Sequence, residues 1–144
     1  MRSVPNNWRD IELSTHFKLG EYYVSDSHPD MIKDVVPTLT EINNFYLLSL
    51  LFAEPARIRF GSLFVSSGKR TEALNDAIHG SKDSQHLYGE AGDYIPKHTY
   101  QLKVYIWARE ELKWPGELIY NAKYNYIHVG LPSYWVSPDQ FIIR

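Results

Sequence analysis

His86 and Asp93 stand seven residues apart in the stretch SQHLYGEAGD, and His128 follows 35 residues after Asp93 in YNYIHVGLP. Two imidazole nitrogens and one carboxylate oxygen, with a fourth position left to water, are the ligand set of a catalytic zinc ion. Softer cations select thiolates and harder ones mostly oxygens, so one zinc ion is the expected metal, although other divalent transition ions accept the same donors. One histidine near a carboxylate is ordinarily a hydrogen-bonded structural residue; it is the motifs flanking the three donors that point to a metal. Gly89, Ala91 and Gly92 are small, which lets the chain between the first two donors turn tightly and pass close to other backbone.

Those donors need elements beneath them. The longest helical pattern runs over 37–53. Pro37 suits a first helical position, and Leu39, Ile42, Phe45, Tyr46, Ser49, Leu50 and Ala53 recur at helical spacing, with Leu47, Leu48 and Leu51 widening the apolar face. A second helix is expected over 99–114, with Leu102, Tyr105, Ile106, Arg109 and Leu112 at 3-and-4 spacing, ended by Pro115 and Gly116. A short helix over 71–78 starts at Thr71. Residues 62–66 read as a strand delivering SGKR, 92–95 as a strand carrying Asp93, and 117–120 with 125–131 as a hairpin turning at Ala122 and Lys123. With a tight turn there, Glu117 falls opposite His128 on one face of the sheet. Ser14 or Thr15 is expected to cap a helical turn within 13–23, a short helix is expected near 29–33, and 55–60 reads as a connector. The polar segment 1–12 reads as an arm, and 133–144 as an edge strand or packed extension. The class is α+β: a small antiparallel sheet carrying the metal donors, with helices on its outer face.

Composition removes several functions. The 144 residues suit one domain, 1–144, with one sizeable core. With no cysteine, disulfides and thiolate metal sites are excluded. Fifteen basic residues against 17 acidic ones provide no basic face for nucleic acid. No stretch approaches a membrane span, and the N-terminus has no apolar run of signal-peptide length. The expectation is a chain made in the cytoplasm that reaches any external target by another route.

The motifs around the donors are more specific. SSGKR ends at Arg70, LNDAIHGSKDSQH runs into His86, ELIYNAKYNYIHV runs through His128, and LSTHFKLGEY begins at Leu13. Together, over about residues 13–132, they resemble the zinc D-alanyl-D-alanine carboxypeptidases and their peptidoglycan-cutting relatives. The pattern of that family is S-G-x-R, then S-Q-H-x-x-G-x-A-x-D, then a strand of aromatic, I/V, H, V. The opening segment resembles the family's phage-type branch. The resemblance implies a hedgehog/D,D-peptidase-like fold with His86, Asp93 and His128 on zinc. It also implies that Arg70 faces the metal, where its fork of donors suits a substrate carboxylate or a developing oxyanion. Ser84 and Gln85 would bind substrate or support the ligating imidazole. Zinc so held would polarise a scissile carbonyl and acidify a water.

Amide cleavage further needs a group that moves the proton from water to the leaving amine. Relatives place a carboxylate three residues before the last histidine or after the preceding strand. Those positions here are Asn125 and Asn121, and neither amide accepts a proton at neutral pH. Glu117 is then the first candidate, ahead of Glu90 in the ligand loop. Lys69 reads as solvated, His79 as structural, and His16, His28 and His98 as outside the site.

The resemblance implies hydrolysis of peptidoglycan stem peptides, as a D,D-carboxypeptidase or endopeptidase, by a phage-derived lysin or virion-associated protein. Phage virion proteins are then possible partners. The alternative is a phage tail or baseplate binding module of the same fold, with zinc retained and catalysis weak or lost. A cytoplasmic dipeptidase is a weaker third reading, because little chain is spare for loops that close a small site.

Overall fold

The computed structural model describes residues 4–135. Strands β1 (Glu12–Ser14) and β2 (Phe17–Lys18) form a small ribbon. Strands β3 (Leu63–Ser67), β4 (Ala91–Pro96), β5 (Leu118–Asn121) and β6 (Tyr126–Gly130) form an antiparallel sheet in the order β3–β4–β6–β5. Because side chains alternate along a strand, the two faces have opposite characters. Val65, Tyr94, Ile127 and Val129 share one face and are buried in the core. Helices α1 (Leu39–Leu48), α2 (Glu54–Phe60) and α4 (Gln101–Glu110) pack against the sheet. Asp93 and His128 share the other face. The fold is the α+β arrangement expected, with α3 (Glu72–Ala77) following β3 and capped by Thr71, whose hydroxyl accepts from Leu74 N–H at 3.0 Å.

The long first helix differs from its expected form. Its cap is Thr38, one residue after Pro37: Thr38 Oγ1 accepts from Glu41 N–H at 3.1 Å and Glu41 Oε1 from Thr38 N–H at 3.2 Å. Glu41, Asn44, Phe45 and Leu48 face inward, while Leu39, Tyr46, Leu50 and Leu51 are exposed. The rotation follows Phe45, which stacks on Tyr22 at 4.6 Å and meets Tyr23 edge-on at 5.6 Å. Residues 55–60, expected as a connector, are helical. Pro55 has no N–H to give to the preceding turn, and a π turn over Ser49–Ala53, in which Glu54 N–H reaches the Ser49 carbonyl, accommodates it.

The inner face of α4 is Gln101, Val104, Trp107 and Ala108, whereas Leu102 and Ile106 are each 44% exposed. Trp107 sets this rotation by packing against Phe60 at 5.6 Å and Phe52 at 6.3 Å. The helix stops at Glu110, short of the expected 114, and Lys113 takes a left-handed φ of 55°. Trp114 then folds back so that Nε1–H donates to the Gly130 carbonyl at 2.9 Å.

Residues 13–23 form the β1–β2 ribbon and a 3-10 turn (Leu19–Tyr22) rather than a turn capped by Ser14 or Thr15. That turn starts where Glu21 Oε2 accepts from Lys18 N–H at 2.6 Å. Within the expected arm, Trp8 is buried and meets Tyr23 edge-on at 5.0 Å. Trp135 packs on Trp114 at 5.6 Å; residues 136–144 of the expected extension lie outside the described residues.

Candidate metal centre

Strands β4 and β6 set Asp93 directly opposite His128. His86 arrives from a separate direction, in a 3-10 turn over Gln85–Tyr88. Ser84 caps that turn, its Oγ accepting from His86 N–H at 3.2 Å, and Gly89 ends it at a left-handed φ of 64°. A side chain at Gly89 would collide with Glu41 Cγ. Asp93 Oδ1 therefore lies between the rings, 3.1 Å from His86 Nε2 and 2.9 Å from His128 Nδ1. Each of the three residues offers one donor atom within 4.8 Å of the others, and all three are buried.

The outer nitrogen of His86 is tied down. Its Nδ1–H donates to the Gly68 carbonyl at 2.6 Å, which fixes the tautomer and leaves the Nε2 lone pair facing Asp93. A Cβ on residue 68 would stand 2.2 Å from the Tyr22 carbonyl oxygen, so only glycine brings this acceptor beneath the ring. Burial pushes the His86 pKa down despite the neighbouring Asp93, which favours the neutral, ligating imidazole. For Asp93 burial acts to raise the pKa. The two imidazoles set against Oδ1 outweigh it and hold the carboxyl well below its usual range.

Arg70 takes the other oxygen of Asp93, with Nη2 at 3.3 Å from Oδ2. Its Nη1–H donates to Asn75 Oδ1 at 3.3 Å and its Nε–H to Ser67 Oγ at 3.2 Å. Ser67 reaches that face because β3 carries a bulge: Val65 pairs with Tyr94 and Ser67 with Asp93, leaving Ser66 extra.

Glu117 reaches the centre by a different register from the one expected. The turn between β5 and β6 spans four residues, 122–125, so Ile119 pairs with His128. Glu117 lies two residues further along, still on the same face, and its carbonyl accepts from Gly130 N–H at 2.9 Å. Its Oε1 is 2.8 Å from His128 Nε2, close enough for an ion pair although the ring is not aligned for a hydrogen bond. Its side chain is 54% exposed.

The remaining sequence candidates have definite places. Gln85 Nε2–H donates to the Leu131 carbonyl at 2.9 Å, so Gln85 and Ser84 are both engaged with backbone. Asn125 occupies the hairpin turn at a left-handed φ of 63°, with Oδ1 accepting from Gln101 Nε2–H. Asn121 lies at the edge of a cleft of about 610 Å³ that also borders Asp93, Arg70, His79, Tyr124 and Tyr126. Glu90 is fully buried. Lys69 is not solvated: its Nζ is 2.7 Å from Glu41 Oε2 and donates to the Leu87 carbonyl at 2.7 Å. Sequence reasoning passed over this pair; its signal was Glu41 itself, a carboxylate on the buried side of a helix.

The donor set fits zinc: one imidazole with its outer N–H satisfied, a second imidazole, an ionised carboxylate, no thiolate, and a cleft alongside. No curated protein and no solved structure matches the chain. The Peptidase M15 family profile does, over residues 39–130, a span that contains all three donors and Arg70. The chain belongs to the Peptidase M15 family.

Proposed function

We propose that this zinc peptidase hydrolyses amide bonds of peptidoglycan stem peptides, as a D,D-carboxypeptidase or endopeptidase. The observation that carries this reading is the buried His86–Asp93–His128 cluster, whose Asp93 borders the cleft. Zinc at these donors supplies a Lewis acid for the scissile carbonyl and a water acidified towards neutrality. Arg70 holds the ligand carboxylate ionised and turned towards the imidazoles, and places a cation at the cleft wall for substrate or for developing negative charge.

Glu117 carries the proton from water to the leaving amine. It rests against His128 Nε2, and its half-exposed side chain is free to swing towards the substrate. Ser84 and Gln85 hold the turn that presents His86. The resemblance of residues 13–22 to the phage-type branch supports delivery by phage, as a lysin released on the wall or a component of the virion.

The test is digestion of purified peptidoglycan by zinc-loaded protein, with products read by mass spectrometry and His128→Ala as control. New termini at one stem-peptide bond, absent with the variant, are expected. An intact wall from protein shown to hold zinc would overturn the peptidase reading in favour of a tail or baseplate binding module, which Asn121 and Asn125 in place of acids favour.

A further inference from the structure

Tyr126 is the first residue of β6 and, two residues before His128, lies on the metal face of the sheet. Asp93 pairs with His128 and Tyr94 with Ile127, so Tyr126 is diagonal to Asp93 on that face. Tyr126, Asp93 and Arg70 all border the cleft. A phenol there acts either as acceptor or as donor, and its partner decides which.

That partner is Asn121, paired with Tyr126 across the hairpin. Asn121 Oδ1 accepts from Tyr124 N–H at 2.9 Å. A backbone N–H only donates, so the carboxamide has one admissible orientation, and Nδ2 is the atom 3.2 Å from the Tyr126 oxygen. Nδ2 has no lone pair to offer, so Tyr126 accepts there. Among the described residues no acceptor takes the phenolic hydrogen. It is left for whatever enters the cleft.

We propose that Tyr126 donates its phenolic hydrogen to the scissile carbonyl oxygen as negative charge develops on it, and that Asn121 is the positioning residue that keeps this hydrogen available. The inference rests on the peptidase reading above and gives the amide at 121 a use. A carboxylate at that position would accept the phenolic hydrogen and withdraw the donor.

The experiment uses zinc-loaded protein and soluble muropeptides from purified peptidoglycan. Tyr126→Phe should lower kcat by about 10²–10³, the loss typical of one oxyanion donor, with KM nearly unchanged. Zinc affinity by chelator competition should match the wild type. In the ¹H–¹⁵N spectrum the Asn121 side-chain amide signals should shift on Tyr126→Phe. Asn121→Asp, which keeps an acceptor for Tyr124 N–H, should lose a similar factor, and the double variant should lose little more than either single one. Turnover by Tyr126→Phe within about threefold of wild type, a loss carried by KM or by zinc, or fully additive losses would overturn the proposal while leaving the peptidase reading intact. A zinc-loaded wild type that cleaves no muropeptide would overturn both.

Discussion

Asp93 divides its two oxygens between tasks, Oδ1 facing both imidazoles and Oδ2 facing Arg70. A carboxylate held in this way is ionised and oriented before any metal arrives, so little is left to reorganise on binding. Glu117 allows its two roles to be separated. Glu117→Gln keeps an oxygen near His128 Nε2 but cannot carry a proton, so turnover should fall by about 10²–10⁴ with zinc retained. Glu117→Ala removes both functions and should weaken zinc binding as well, which chelator competition measures. Unchanged turnover in Glu117→Gln would remove it from the proton path. The three donors, which the structure brings together, were legible in the sequence because the motifs flanking them resemble a family that holds zinc in this pattern; type and spacing alone were less specific. The placement of Glu117 was legible by strand parity alone: the longer turn moved its partner from His128 to Gly130 yet left it on the same face. The bond between Asn121 and Tyr126 was not legible, because it depends on which end of an amide a backbone N–H holds.

The turn bearing His86 and the loop bearing Gly68 and Arg70 are braced on α1 by the Glu41–Lys69 pair, with side chains only 9% and 15% exposed. Removing one member leaves the other charge buried without its counterion. Lys69→Met should therefore cost about 3–5 kcal/mol in chemical denaturation, and the double variant Glu41→Gln/Lys69→Met should recover much of it. A Lys69→Met protein as stable as wild type would show that the pair braces nothing. The positions of α1 and α4 were readable from periodicity, but α2 was not, and neither were the inward faces of α1 and α4: apolar residues surround both, and Phe45 and Trp107 settle the rotation only through their tertiary partners. The β1–β2 ribbon is tied to α2 by His16, whose N–H and Nδ1 lie 2.8 and 2.6 Å from the two oxygens of Glu54. Burial raises the Glu54 pKa, but the His16 hydrogen bonds outweigh it and set it below the ordinary 4.5. A depressed carboxyl pKa stabilises the fold above the unfolded value, and that contribution is lost as pH falls through the folded one. Amide-exchange protection factors over residues 12–18 should fall below about pH 4.5, and Glu54→Gln should abolish that dependence.

Over the whole molecule the division of labour is between the two faces of one sheet. One face is sealed by helices and aromatic packing; the other carries Asp93 and His128, with His86 brought over them from the neighbouring turn. The sequence made this class legible because alternating strands and two long helical patterns admit few other layered arrangements. It did not reveal Trp8 in the core, since a lone aromatic in a polar segment carries no periodic signal. On the function proposed above, a single zinc ion on His86, Asp93 and His128 makes the chain a peptidase. Chelator-stripped protein titrated with zinc, with release of new amino termini from peptidoglycan followed at each addition, tests it most directly. Activity should be absent without metal, rise linearly and level off at one equivalent, and stay absent at every addition in Asp93→Asn. Hydrolysis by metal-free protein, or by Asp93→Asn at the wild-type rate, would contradict the account.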